Sequence, residues 1–199
     1  MFFAHALAIG LLVSAPGGVA PDNSDSSAPT AFTNHPVAPS PKPDRASLTS
    51  GSRAPDFQYQ SYDAMWQHLH NVLEHGDVLL VFGCSDLDLR MLERERETLV
   101  KGGVLPLAVV ERNDREVWAS VRRLGLTYSL LADPRGAIGM QYGVFDAGLG
   151  RSRSAWFVID TKGKVRQSGT DMPTTGWVAI AGTALNRPLD GGTQSASHR

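Results

Sequence analysis

The sequence predicts an α/β domain, and three features of the chain carry that expectation. The first is Val78 to Phe82, an unbroken apolar run of β-branched and aromatic residues that reads as a strand buried on both faces. The second is the stretch from Gly83 to Val110. Gly83 breaks the run, Ser85 or Asp86 can cap a helix, and Val104 to Val110 reads as another strand despite Pro106. Strand, helix and strand in so few residues imply a parallel pair joined by a right-handed crossover. The third is Trp156 to Asp160 and Lys164 to Gln167 flanking Thr161-Lys162-Gly163, a strong hairpin signal.

The other elements come in chain order. Ala54-Pro55-Asp56-Phe57 opens the domain, with Phe57 and Tyr59 alternating into a short edge strand. From Asp63 the pattern turns helical: Met65, Trp66, Leu69, Val72 and Leu73 share one stripe, and Gly76 is a natural stop. On the helix after Cys84, Leu89, Leu92 and Leu99 make a narrow apolar seam. The charges at Arg90, Glu93, Arg94, Glu95, Arg96 and Glu97 mostly face water and read as a solvated face, not a binding patch. Gly102-Gly103 ends that helix. Asn113 with Glu116 forms a capping box for the next one, whose buried stripe is Val117, Trp118, Val121 and Leu124. Tyr128 to Ala132 is a strand stopped by Asp133-Pro134-Arg135-Gly136, and a short helix over about Ala137 to Tyr142 comes next. Gly176 to Leu185 gives a closing helix with Trp177, Ile180, Ala181 and Leu185 inward. Trp66, Trp118 and Trp177 all lie on helical stripes and read as core. There is no internal repeat.

A chain of 199 residues allows one ordinary domain plus appendages. Apolar residues at 42% and charged residues at 20% are enough for a packed core. A formal net charge of -1 without a basic run argues against nucleic acid or a polybasic membrane contact, both of which need a positive field. Phe2 to Val13 is apolar, with small residues after it, and residues 1–20 read as a secretory signal too short to span a bilayer. No Lys or Arg precedes it, and a mistaken start site or a disordered leader are the alternatives. Residues 21–52, rich in Pro and Ser, read as a disordered linker, 53–187 as the folded domain and 188–199 as a disordered tail. A true signal implies export to a periplasm or the exterior, with no membrane span in the mature form; otherwise the chain is cytoplasmic.

Chemistry centres on Cys84. As the single cysteine it excludes an internal disulfide, a C-x-x-C pair and a multi-cysteine zinc site. It sits between a strand's carboxyl end and a helix start, where open α/β sheets place reactive groups. A functional thiol must ionise near neutral pH from a starting pKa of roughly 8.5. A helix N-terminus contributes about 0.3–1 kcal/mol to the anion, less than one pKa unit at about 1.4 kcal/mol per unit. Asp86 and Asp88 in the same turn repel a thiolate, so activation depends on an arginine from elsewhere, Arg153 or Arg112. The competing reading is a small, inert, buried cysteine.

His68, His70 and His75 suggest a metal at first sight. On a helix, however, His68 and His70 point to opposite sides, and His68 to His75 spans about 10 Å, so no metal or other cofactor is expected. Glu111-Arg112-Asn113 and Asp133 end neighbouring strands on the same rim as Cys84, although capping and turn duties account for Asn113 and Asp133. No phosphate-cradling glycine loop or Ser/His/Asp arrangement is present.

The element order resembles a thioredoxin-like three-layer fold, a central mixed β-sheet with helices on both faces. More specifically, the chain resembles the peroxiredoxin/redoxin family of alkyl hydroperoxide reductase and thiol-specific antioxidant type. The resemblance is carried by Gly51-Ser52-Arg53-Ala54-Pro55-Asp56-Phe57, Leu79-Leu80-Val81-Phe82, Leu130-Leu131-Ala132-Asp133-Pro134, Gln141-Tyr142-Gly143-Val144 and Phe157-Val158-Ile159-Asp160. It implies thiol-dependent reduction of a hydroperoxide, with Cys84 attacking the peroxide and an external thiol completing the cycle. The family's Pro-x-x-x-Thr/Ser-x-x-Cys stretch is shortened here: no Pro precedes Cys84, and Val81 stands at the Thr or Ser position. The family's arginine position falls on Ser154. Arg153 is one residue early, and a bulge near Ser154 would turn it back toward the cysteine. A catalytically idle thioredoxin-fold binding or scaffold module is the alternative.

Overall fold

The apolar run expected at the centre of the sheet is a strand over Asp77–Phe82 with all six residues buried. The computed structural model of the protein describes residues 48–60, 65–173 and 176–189. The expected signal segment, most of the linker and all but two residues of the tail lie outside the described residues. In chain order the elements are β1 (Gln58–Gln60), β2 (Trp66–His68), α1 (Leu69–Leu73), β3 (Asp77–Phe82), α2 (Asp86–Lys101), β4 (Val104–Val110) and α3 (Asp114–Leu124). Then come β5 (Ser129–Ala132), α4 (Ala137–Gln141), β6 (Phe145–Asp146), β7 (Arg151–Ser152), β8 (Ala155–Ile159), β9 (Val165–Gly169) and α5 (Trp177–Leu185).

Five strands form the main sheet in the order β5-β4-β3-β8-β9. β3, β4 and β5 are parallel, whereas β8 runs antiparallel to β3 and β9 antiparallel to β8. Because side chains alternate across a strand, β3 feeds two cores at once. Val78, Leu80 and Phe82 pack with Phe57, Leu69, Ile138, Tyr142 and Phe157 on one face. Leu79 and Val81 pack with Leu89, Leu92, Leu99, Val117, Trp177 and Ala181 on the other. Helices therefore cover both faces of a mixed sheet. No helix among the described residues is long and apolar enough to cross a membrane.

The local signals that fixed helix ends act as expected. Ser85 caps α2 and pairs reciprocally with Asp88, and Asn113 does the same for α3 with Glu116. Three expectations are corrected. Met65 and Trp66 do not begin a helix: Trp66–His68 pairs antiparallel with β1, and Trp66 is 63% exposed. The 3.6-residue spacing there is real, but strand pairing to Gln58–Gln60 overrides it. Trp118 is 41% exposed on α3, where Val117 and Ser120 take the buried positions; of the three tryptophans only Trp177 is core. The charges of α2 are not all solvated. Glu93 accepts from the Thr127 backbone and hydroxyl at 2.8 and 2.5 Å, and Glu95 accepts from the Gly176 and Val178 amides at 2.7 and 2.9 Å, holding the start of α5.

The domain also reaches beyond its expected edges. Gly51 N–H donates to Val165 O at 2.7 Å and Val165 N–H to Ser52 O at 2.9 Å, while Leu48 packs on the core. Residues 48–52, read as linker, thus lie along β9. At the other end Leu189, read as tail, is buried against α2's face of the sheet.

Candidate active site

Cys84 is placed by the residue before it. Gly83 leaves β3 with φ +63°, a left-handed backbone open to glycine, and an added Cβ there would lie 2.7 Å from Arg153 C and 2.8 Å from Ser154 N. The segment 153–154 crosses directly over the loop, and Ser154 Oγ donates to Gly83 O at 3.3 Å. Cys84 comes next, partly buried and packed against the core that α2 covers. Ser85 then starts the helix, its N–H and hydroxyl both donating to Asp88 Oδ2 at 2.8 and 2.6 Å.

Beside the cysteine is a cleft of about 610 Å³ lined by Gly83, Cys84, Glu111, Arg112, Arg151 and Arg153, among others. Its far wall, residues 149–154, comes from the small β6–β7 hairpin, which no periodicity in the sequence announces because each strand has two residues. Cys84 and Arg153, nominated together by the sequence, line this same cleft. Their chemistry is not joined in the structure. Arg153 Nη2 donates to Gly143 O at 3.3 Å, on the side of an adjoining cavity of about 660 Å³ lined by Tyr142, Gly143 and Phe157. No bulge lies at Ser154; the register shift of β8 is at Val158/Ile159, facing β9.

Arg112, the other candidate cation, is also committed. It donates to Ser120 Oγ at 2.7 Å and to Asp86 Oδ1 at 3.1 Å, and Arg123 holds the second Asp86 oxygen at 2.7 Å. The hydrogen bond from Arg123 leads the causes that keep Asp86 below the usual carboxylate range, ahead of an opposing cost of burial and a further bond from Arg112. Asp86 therefore serves the arginines, and the carboxylates that act on Cys84 are Asp88 and Glu111. Burial pushes the Cys84 thiol well above its ordinary value, and those two negative charges push it further. Glu111 is fixed by accepting the Ser152 amide at 2.8 Å. Asp133, on the same rim, is a cap: its Oδ2 accepts from Gly139 N–H at 3.0 Å, and burial raises its carboxyl.

The histidines depart from expectation. His68 belongs to β2 rather than to a helix, so its ring shares a side with that of His70. Nδ1 of His68 and of His70 lie 3.3 and 3.0 Å from the same Asp56 oxygen.

The comparisons agree with this architecture. The AhpC/TSA family model matches residues 50–168. Alkyl hydroperoxide reductase E of Mycobacterium bovis and of Mycobacterium tuberculosis is 28% identical over 136 residues, covering 63% of this chain and 88% of the relative. Among solved structures, peroxidoxin BcpB from Mycobacterium tuberculosis superimposes with a TM-score of 0.62 at 19% identity, over 70% of this chain and 97% of that one. AhpC from Enterococcus faecalis gives 0.61 at 16% identity, over 69% and 92%. With a family match across β1 to β9, and a mixed sheet of the same fold, the chain belongs to the AhpC/TSA family of peroxiredoxin-type redoxins.

Proposed function

We propose that the protein is a one-cysteine thiol peroxidase in which Cys84 reduces a hydroperoxide and an external thiol restores it. The observation that supports this most is the placement of Cys84 and Arg153 on one cleft at the carboxyl end of β3. In the reaction the Cys84 thiolate attacks the terminal peroxide oxygen. The S–O bond forms as the O–O bond breaks, and the departing alkoxide takes a proton to leave as an alcohol. The resulting sulfenic acid condenses with an external thiol, releasing water, and a second thiol displaces Cys84 from the mixed disulfide. A resting thiol kept neutral by burial and by Asp88 and Glu111 makes this a slow enzyme at pH 7, and its rate climbs as the pH rises.

The raised thiol also favours a second reading, a thioredoxin-fold binding or scaffold module without turnover. Peroxide consumption in dithiothreitol separates the two, measured from pH 7 to 10 for wild type and Cys84→Ser, with dimedone trapping of the sulfenic acid. Turnover that rises with pH and vanishes in the variant supports the peroxidase. Equal background rates with no dimedone adduct overturn the peroxidase and support the module. Export forms part of the proposal and rests on the apolar Phe2 to Val13 stretch; the intact mass of protein recovered from the cell envelope tests it.

A further inference from the structure

Among the described residues, one cluster brings three metal-ligating side chains within reach of a single point: Asp56, His68 and His70, with one donor atom from each inside 4.8 Å of the others. It belongs to the β1–β2 side of the domain and shares no residue with the Cys84 cleft. We propose that these three residues form a binding site for a divalent transition-metal ion of the zinc class, held by two imidazole nitrogens and one carboxylate oxygen, with its remaining positions open to water.

The backbone builds the site. β1 and β2 pair with Gln58 opposite His68, and Leu69 N–H donates to Phe57 O at 3.0 Å, which folds the His68–His70 segment back onto Asp56. His70 N–H then donates to Asp56 Oδ1 at 3.1 Å. That bond fixes the carboxylate and leaves Oδ2 aimed at both rings, the outer-shell support that metal-bound carboxylates have. The Nδ1 atoms of His68 and His70 stand 3.3 and 3.0 Å from Oδ2. Metal bonds of 2.0–2.1 Å arranged tetrahedrally put neighbouring donors about 3.3 Å apart, so two edges of the polyhedron are already in place. The two rings lie side by side with centroids 4.9 Å apart. Their side chains are 40% and 58% exposed, which leaves room for the rings to turn and close the third edge, His68 giving up its contact with the Asn71 backbone amide.

The donor set selects the ion. Two imidazoles with one carboxylate suit zinc or iron(II), and are too few and too nitrogen-rich for calcium or magnesium. Three protein ligands leave room for water, the arrangement of an open rather than a closed site. Without metal, His70 Nδ1 and Asp56 Oδ2 are hydrogen-bonded at 3.0 Å, so a cation seated between them takes the place of that bond.

The test uses the full chain, stripped with EDTA and titrated with Co2+ while its visible absorption is followed, then with Zn2+ by calorimetry. The expected result is one ion per chain with micromolar affinity. Asp56→Asn, His68→Ala and His70→Ala should each weaken it at least tenfold, and Cys84→Ser and His75→Ala should leave it unchanged. Far-UV circular dichroism and melting curves accompany each variant, and His70→Gln stands in for His70→Ala if the latter unfolds. Absence of a protein-dependent cobalt spectrum overturns the proposal. So does unchanged affinity in a folded His68→Ala/His70→Ala double variant, which would place the ion elsewhere in the chain.

Discussion

Gly83 and Gly125 both adopt left-handed backbone, with φ +63° and +67°, but only Gly83 is crowded. At Gly125, the C-cap of α3, an added Cβ would meet nothing within 4 Å. Gly125→Ala should therefore cost only the left-handed penalty, about 1–2 kcal/mol. At Gly83 the new methyl would sit 2.7–2.8 Å from backbone atoms of Arg153 and Ser154, which cannot swing aside as a flexible side chain does. Overpacking of that kind adds about 1–3 kcal/mol, so Gly83→Ala should lose about 2–5 kcal/mol in all. Urea unfolding at fixed pH measures both, with unchanged m values confirming a like-for-like comparison. Moving residues 153–154 off the loop also re-aims Cys84, so Gly83→Ala should alter the rate of Cys84 alkylation by iodoacetamide while Gly125→Ala does not. Equal stability losses, within the extrapolation error of about 10–15%, would refute the idea that this crossing holds the cysteine in place.

Cys84 alkylation should be slow at pH 7.5 and rise about tenfold per pH unit without a plateau through pH 10. Because the folded thiol is raised above its unfolded value, stability should be complete below about pH 8.5 and fall as the pH rises beyond it; urea midpoints should lose that decline in Cys84→Ser. Glu111→Gln keeps an acceptor for the Ser152 amide but removes a charge, and should speed alkylation roughly two- to fivefold, under one pKa unit. Arg153→Ala should leave alkylation within about twofold, since the guanidinium sits at Gly143, and a tenfold loss would show it already at the thiol in solution. Glu95→Ala removes both acceptors at the start of α5 and should cost about 2 kcal/mol, read from the melting curve. Asp86, held low by its arginines, contributes stability that is present above about pH 4 and lost as the pH falls through its folded value; Asp86→Asn should flatten the stability curve below about pH 4.

What the sequence made legible is what short-range signals encode. The β3–α2–β4 crossover rests on a six-residue buried run and a Ser85–Asp88 box, and the β8–β9 hairpin rests on Thr161-Lys162-Gly163, all readable within a few residues. What stayed hidden depends on partners distant in sequence or on strands too short to have a period. Trp66 fits a helical stripe, but β1 captures it. That misreading propagated to the histidines: on a helix His68 and His70 diverge, whereas at a strand-to-helix junction both reach Asp56, twelve or more residues upstream. Glu93 and Glu95 belong to a charge run that looks solvated, and their contacts to Thr127 and Gly176 appear only once α2 is seated. In the cleft, Cys84 was marked by its place after the central strand, and Asp88 and Glu111 were visible neighbours. Which carboxylate faces sulfur and which faces arginine is decided by packing alone.

That division of partners decides the state of the thiol. The cleft has arginines on its walls, and counting charges by type would call it favourable to an anion. Counting them by partner gives the opposite sign. Arg112 and Arg123 share the one carboxylate of Asp86 and are held on it, and Arg153 turns to the Gly143 carbonyl. Asp88 is held by Ser85 and Glu111 by the Ser152 amide, and among the described residues neither is joined to a cation. Sulfur is thus left partly buried beside two uncompensated carboxylates, and each works against ionisation. Of Arg112, Arg123 and Arg153, Arg153 has the weakest tether, one 3.3 Å bond to a carbonyl from an exposed side chain on a wall shared by both cavities, and exposed Arg151 stands on the same wall of the Cys84 cleft. Rotation of Arg153 breaks no ion pair, whereas recruiting Arg112 would strip Asp86 of a partner. The less costly routes to an ionised Cys84 therefore run through the 149–154 wall, by Arg153 or Arg151, and not through Arg112.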